Sequence, residues 1–346
     1  MAASAIDVIS PAFERTKLQL FRPFRFKHWA RLAIIGLVTG EFGGASGSWG
    51  GLSNARTAIR TRRQWMDLLS APDPSLWNLD RNYLWALLAV VAALLVLGLM
   101  WLYAASVFRF ILLDAIVNGR CRLREGWHRW QAPGRRFFFW TIGFILVVAA
   151  AFGVTVGVPI AIAVWAGVFQ QPRQHLILLI FGGIVLFFLV LAMIVASAVI
   201  ALFARDFLVP LMALENLEVM AAWRRLLPLV NVEKASYLFY VLMKIVLAVG
   251  SAILFGILNV IVILLLLIPL AIVGGLLFLF GQAAGLTWNL FTICALVFLG
   301  LAAFAALLWV ISFVYAPGLV FFQSYALYFL GPRYPLLGAL LAPQPP

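Results

Sequence analysis

The fold is decided by residues 176–212, which read LILLIFGGIVLFFLVLAMIVASAVIALFARDFLVPLM. No acidic or basic residue occurs from Leu176 to Ala204, and a helix needs about 20 apolar residues to cross a bilayer. Over the whole chain 65% of residues are hydrophobic and 11% are charged, against about 45–50% and about 25% in soluble proteins. One water-soluble core could not bury this surplus. The composition indicates a polytopic membrane protein and excludes a soluble enzyme, a disordered chain and a disulfide scaffold.

The same pattern predicts an all-α transmembrane helix bundle of about six spans. A weak, glycine-rich first span is assigned to residues 30–50, and the polar residues 51–82 form an extracytoplasmic loop. The stronger spans are assigned to residues 83–116, 137–169, 176–212, 236–280 and 288–329. Several exceed the length of one crossing, so we expect tilt or kinks, the latter at Pro159, Pro210, Pro269 and Pro317.

Two assignments stay open at this stage. Residues 30–50 could form a re-entrant segment instead of a crossing, which is tolerated only where protein buries it. Residues 236–280 are nearly long enough for two crossings, with a turn at Gly274–Gly275. We favour one long, broken span, followed by a short re-entrant or loop piece within residues 270–288.

The basic residues predict the orientation. The chain has 25 Lys and Arg against 12 Asp and Glu, a net charge of +13. With six spans, most basic residues fall in the amphipathic segment 1–29, in two connections (109–136 and 205–234) and in the tail 330–346. The excess of basic residues on the cytoplasmic side then places both termini in the cytoplasm, at a bacterial inner membrane. The expected partners are anionic lipid headgroups and a protein of the same membrane, rather than nucleic acid.

An internal repeat links two of these connections. A shift of 96 residues aligns residues 109–129, the first elbow, with residues 205–225, the second elbow; Trp127 matches Trp223, and Arg129 matches Arg225. Each elbow carries a short amphipathic helix with apolar residues on one face and arginine on the other. Tryptophan is typical of the headgroup level, so Trp127, Trp130 and Trp223 are predicted interfacial anchors, together with Arg129 and Arg225. The parallel repeat units cover residues 83–169 and 176–280.

The second elbow also carries a resemblance. Residues 210–226 read PLMALENLEVMAAWRRL, which resembles a segment of uncharacterised bacterial and archaeal multi-pass families. These look related to the membrane domain that precedes some glycerophosphodiester phosphodiesterases. The opening AIDVISPAFE (residues 5–14) and the closing SYALYFLGP (residues 324–332) fit the same pattern. The resemblance implies a six-span bundle with interfacial helices and no known activity, because the phosphodiesterase activity belongs to a separate soluble domain.

Catalytic signatures are missing from the sequence. Its three histidines, His28, His128 and His175, have no carboxylate or cysteine at metal-ligand spacing, and no P-loop, HExxH or Gly-x-Ser-x-Gly motif occurs. Cys121 and Cys294 are far apart, without a metal or disulfide spacing. We therefore expect neither an enzyme nor a bound cofactor or metal.

Ionisable residues in or near the spans are the candidate functional residues, since such groups are costly in lipid. They are Glu41, Arg109, Asp114, Arg205, Asp206 and Lys244. Glu41 is either an ion or proton relay or a solvated boundary carboxylate. The Arg and Asp residues are expected to form structural ion pairs, a gate or substrate site being the alternative. Lys244 either reaches the cytoplasmic surface or meets Asp114 or Asp206.

The sequence supports two main functions. The first is a non-catalytic scaffold or accessory subunit that engages a partner or anionic lipid through a basic, tryptophan-anchored cytoplasmic face. The alternative is a permease or channel-like component with a path near Glu41, Asp114 and Asp206. A membrane enzyme acting on lipid ranks third.

Overall fold

The computed structural model describes residues 4–21, 25–40, 81–119, 121–168, 174–283 and 290–341. In these ranges every regular element is a helix. The short helices are α1 (Ile9–Leu20), α2 (Phe26–Thr39), α6 (Val209–Glu215), α7 (Val219–Val232) and α10 (Pro335–Leu341). The long helices are α3 (Arg81–Asn118), α4 (Leu123–Trp165), α5 (Leu176–Phe203), α8 (Lys234–Ala283) and α9 (Leu290–Leu330). A π-helical turn, Ala204–Leu208, joins α5 to α6, and a 3₁₀ turn, Gly331–Arg333, follows α9.

Five stretches of the described chain are long and apolar enough to cross a membrane. They are Trp85–Asn118, Leu123–Trp165, Leu176–Glu215, Lys234–Leu276 and Thr292–Arg333. This confirms the all-α membrane bundle. The helix α8 runs unbroken through Pro269 and Gly274–Gly275 for 50 residues, roughly 75 Å at 1.5 Å per residue. The expected break in residues 236–280 is therefore absent, and the segment forms one long helix.

Burial divides these helices into two halves. The core is formed by α1 and α2, the elbows, the start of α8 and the end of α9, which together we call the charged end. The other halves are apolar and exposed on all sides, as Leu94 (63% exposed), Val147 (67%) and Leu265 (70%) show. Such a surface is incompatible with water, and helices can expose it in lipid because their backbone groups are paired internally.

The two N-terminal helices pack into the charged end. The helix α1 buries Ala12, Thr16 and Leu20, and Tyr325 of α9 donates a hydrogen bond to the carbonyl of Ala5 at 3.1 Å. The predicted interfacial segment 1–29 is thus packed against protein along one face. Ala5 and Val8 of this segment are also buried, whereas other apolar side chains, including Phe13 at 60% exposure, face outward.

The helix α2 covers the described part of the predicted first span. It begins beside Trp309 and Phe313 of α9, and Gly36 lies against Leu319, so it runs along α9 in the same direction. With 14 residues it is shorter than the roughly 20 that a crossing needs. Residues 26–39 also run in the direction of α9, the predicted sixth span, whereas the first span of a six-span bundle would run in the opposite direction. They therefore do not form the predicted first crossing, and residues 41–50 of that span lie outside the described residues.

The elbows differ in one respect from the sequence expectation. The amphipathic helix of the first elbow is continuous with the following span, because α4 runs from Leu123 to Trp165 through Pro133. Only the second elbow has a separate helix, α7. The burial pattern nevertheless agrees with the 96-residue register, since positions 110–113, 115 and 116 are buried and so are 206–209, 211 and 212. Both elbows lie in the same core, as a parallel repeat requires.

The close approach of α3 to α4 gives a stability prediction. A Cβ at Gly134 would lie 2.7 Å from Cγ2 and 3.1 Å from Cα of Val107, so Gly134→Ala forces the two backbones apart. Overpacking of this kind typically costs about 1–3 kcal/mol. We expect a lower midpoint of thermal unfolding in detergent for Gly134→Ala. The control is Gly143→Ala in the same helix, where no atom lies within 4 Å; an equal loss in both variants would contradict the close packing.

Candidate functional site

Two buried charges of opposite sign meet just after the end of α5. Oδ2 of Asp206 accepts hydrogen bonds from Nζ of Lys244 at 2.5 Å and from the hydroxyl of Tyr240 at 2.8 Å. The side chains of Asp206 and Lys244 are 6% and 11% exposed. Of the three places expected for Lys244, the structure selects the pairing with Asp206.

Local backbone geometry positions this carboxylate. Pro210 has no N–H to donate to the carbonyl of Asp206, four residues earlier. The chain adopts a π-helical turn over Ala204–Leu208 just before the proline. In this turn Asp206, Phe207 and Leu208 are all buried together with Ala204. Wider turns of this kind often occur at functional sites, and this one aims Asp206 at α8.

Aromatic rings close the surroundings of the pair. The ring of Tyr240 stacks on Tyr325 with centroids 5.2 Å apart and contacts Phe329 at 4.5 Å. Phe207 contacts Tyr240 at 5.0 Å. The pair therefore has little access to water. It connects the end of α5 to α8, and the α9 residues Tyr325 and Phe329 pack over it. The arrangement connects two helices, and each of the two charges is paired with the other.

The other predicted candidates lie in the first repeat unit or nearby. Asp114 pairs with Arg129 at 3.8 Å and accepts a hydrogen bond from Asn118 at 2.8 Å. The guanidinium of Arg109 lies 5.6 Å from the ring centre of Phe137, and Arg205 is half-buried in the π-helical turn. Glu41 lies outside the described residues. Among the described candidates, the structure brings Asp206 and Lys244 together in an ion pair.

The elbow arginines repeat one interaction. Arg129 pairs with Asp114, at the end of α3, and Arg225 pairs with Glu215, at the end of α6, at 3.5 Å. Both guanidiniums stay largely exposed, at 68% and 63%. These are ion pairs that connect the end of one helix to the following elbow helix. Of the Arg and Asp residues expected to form such pairs, Asp114 does so; Glu215 and its pairing with Arg225 were not predicted from the sequence.

The three predicted tryptophan anchors are buried to different depths. Trp130 is 9% exposed and stacks on Phe110 at 5.9 Å. Trp127 and Trp223 are half-buried, and Trp223 contacts Trp140 of the first repeat unit at 6.1 Å. Trp130 is thus a core residue, whereas Trp127 and Trp223 keep an exposed part that can lie at the headgroup level.

The contacts of two sets of residues at the charged end were not predicted from the sequence. Arg333 pairs with Glu233 at 2.8 Å, and its guanidinium lies 3.9 Å from the ring centre of Phe329. Tyr334 donates a hydrogen bond to Glu215. The C-terminal residues thus contact the glutamates that flank the helix α7, Glu215 before it and Glu233 after it. No spacing in the sequence links positions that are about a hundred residues apart.

The second set lies in the N-terminal helices. The last carbonyls of a helix have no partner within it, and at the end of α3 other residues supply donors. Arg15 donates to the carbonyls of Ile116 and Val117 at 2.9 and 3.0 Å, and Gln19 donates to that of Ala115 at 2.7 Å. The N-terminal residues therefore cap the helix that enters the first elbow.

The buried pair yields a second prediction. Asp206→Asn and Lys244→Met each leave one buried charge without its partner, which typically costs about 3–5 kcal/mol. We expect a large loss of stability in each single variant, and a smaller loss in the double variant because no charge then remains. The measurement is thermal unfolding in detergent, analysed as a double-mutant cycle.

The control for this cycle is the exposed pair Arg122–Glu125, 2.9 Å apart. Exposed pairs contribute little, so Glu125→Gln is expected to leave the unfolding midpoint unchanged. If the double variant loses as much as the two single variants combined, the two side chains do not interact as described.

Comparison with known proteins gives one relationship. A family of unknown function, DUF7544, matches residues 3–340. No curated protein and no solved structure matches the chain. The comparisons thus show an uncharacterised family, without a link to the membrane domains of glycerophosphodiester phosphodiesterases. Because the match extends over both repeat units and both terminal segments, the chain belongs to the DUF7544 family.

Proposed function

We propose that this protein is a non-catalytic membrane scaffold or accessory subunit, whose charged end faces the cytoplasm of a bacterial inner membrane and engages anionic lipid or a protein partner. The observation that carries the proposal is the segregation of charge. The lipid-exposed halves carry no acidic or basic residue between residues 82 and 108, 137 and 172, or 245 and 332. At the charged end, the buried charges are used internally and arginines remain on the surface.

The surface arginines are the part of the charged end available to a partner. Arg124, Arg135 and Arg224 are exposed and have no carboxylate partner among the described residues. Arg136 donates to the carbonyl of Asn216 at 3.3 Å, which joins the two elbows into one surface. Basic residues beside an anionic leaflet contribute about 1 kcal/mol each to lipid attraction.

A permease or channel-like component is the alternative. The buried Asp206–Lys244 pair beside a π-helical turn is the observation that favours it, because ionisable groups within spans often mark transport paths. Against it stands the packing of Phe207, Tyr240 and Tyr325 around that pair. The resemblance to the membrane domain of glycerophosphodiester phosphodiesterases stays a hypothesis, and it implies a membrane module without phosphodiesterase chemistry of its own.

The proposed orientation can be tested by thiol labelling. Burial raises the pKa of Cys121 to about 11, so this native thiol is protonated at neutral pH and does not react. In a Cys294→Ser background, Ser70→Cys is expected to react with a membrane-impermeant maleimide in intact cells. His128→Cys is expected to react only after the membrane is opened. Labelling of both positions from the same side would refute six crossings.

The scaffold proposal predicts retention of anionic lipid. We expect the triple variant Arg124→Gln/Arg135→Gln/Arg224→Gln to copurify with less anionic lipid than the unmodified protein in mild detergent, because three surface charges are removed. Lipid mass spectrometry measures the ratio of anionic to zwitterionic lipid. Lysine at the same three positions keeps the charge and serves as the control.

Transport is tested on the same preparation. After reconstitution into liposomes, the scaffold proposal predicts ion flux no greater than that of protein-free liposomes. A measurable flux that Glu41→Gln or Asp114→Asn abolishes would overturn the scaffold and establish the permease.

A further inference from the structure

A strongly basic cavity lies between the N-terminal helices and the first elbow. Its volume is about 710 Å³, within the usual size range of small-molecule sites. Five cationic side chains line it, and its described lining contains no carboxylate. The cations are Arg15, Arg25, Lys27, Arg31 and Arg122.

The described groups around the cavity leave most of this positive charge unbalanced. The charge of Asp114 acts on the lining residue Cys121, but Asp114 pairs with Arg129, outside the lining. Arg15 and Arg31 donate to backbone carbonyls, Arg31 to that of Cys121 at 2.7 Å. The end of a helix supplies only about half a negative charge. Arg122 pairs with Glu125, outside the lining. Arg25 and Lys27 are exposed and have no carboxylate partner among the described residues.

The imidazole of His28 lines the same cavity. Burial lowers its pKa, and the charges of Arg31 and Arg25 lower it further. Its Nε2 atom is buried and makes no hydrogen bond in the described structure. A neutral imidazole beside several cations is what a site for an anion presents before the anion binds.

The rim of the cavity indicates where the anion comes from. Leu18 belongs to the lining and is 53% exposed. Phe21 (53% exposed) contacts Trp29, and Phe26 (55% exposed), between the lining residues Arg25 and Lys27, contacts Phe313 of α9. Aromatic and aliphatic side chains exposed beside a basic cavity suit an acyl chain attached to the anion. A free phosphate would make no use of them.

We propose that this cavity binds the phosphate of an anionic phospholipid headgroup, with the acyl chains running along Leu18, Phe21 and Phe26. Basic cavities between helices at a membrane surface are suited to such headgroups. This inference rests on the proposed engagement of anionic lipid and assigns it a site. It gives Arg25 and Lys27 the role of ligand contacts. Arg15 has a double role in capping α3 and holding the phosphate, and Arg31 in fixing the connection at Cys121 and holding the phosphate.

The test uses the full-length protein in zwitterionic detergent, titrated with short-chain phosphatidylglycerol. The variant Arg25→Gln/Lys27→Gln removes two cations that hold no described structural contact, so it is expected to fold. At about 1 kcal/mol per charge, we expect roughly 30-fold weaker binding. Arg124→Gln/Arg224→Gln removes the same charge from the elbow surface, and we expect less than about a threefold change because neither side chain lines the cavity.

Three readouts separate the outcomes. Equal loss in both variants means diffuse attraction to the basic surface; it overturns the cavity site and leaves the proposed function standing. Inorganic phosphate binding as tightly as phosphatidylglycerol overturns the lipid assignment. An NMR titration of His28 must show a higher imidazole pKa with the lipid bound, since the phosphate charge favours the protonated ring; an unchanged value places the lipid elsewhere.

Discussion

The structure depends on one constraint, which is that charge is excluded from the lipid-exposed halves of the long helices. A helix can place an uncharged surface in hydrocarbon at no cost to its backbone, but an ionised side chain there is expensive. The ionisable residues of the spans are therefore gathered at one end, where Asp206, Lys244 and their neighbours satisfy one another. Because lipid offers little hydrophobic drive between helices, the packing that fixes the fold is concentrated there as well.

The two ends of the chain stabilise the two elbows. The N-terminal helices supply Arg15 and Gln19 to the open carbonyls of α3, before the first elbow. The C-terminal residues Arg333 and Tyr334 hold Glu233 and Glu215, at the two ends of α7. In each repeat unit, the elbow is thus stabilised by contacts with a segment that is distant in the chain. These contacts fix the positions from which the helices α3, α4, α5 and α8 enter the bilayer.

The proposed scaffold role rests on how the charged end is arranged. The buried pair joins helices under aromatic cover, and the exposed arginines of the elbows form a surface at the level where headgroups or a partner would lie. The basic cavity beside the first elbow adds a more specific element, because it combines unbalanced positive charge with apolar side chains on its rim.

The sequence by itself determined the membrane class, the positions of the long helices and the register of the repeat, because hydropathy and the spacing of Arg and Trp are local properties of the chain. It also predicted ion pairs between spans and elbow helices, as Asp114–Arg129 shows. Only the tertiary structure decided which acid each base meets: Lys244 with Asp206, Arg225 with Glu215, and Arg333 with Glu233. It also decided that Trp130 is buried and that Arg15 caps α3. These contacts join residues far apart in the chain, and their geometry follows from how the helices pack, which no local pattern records.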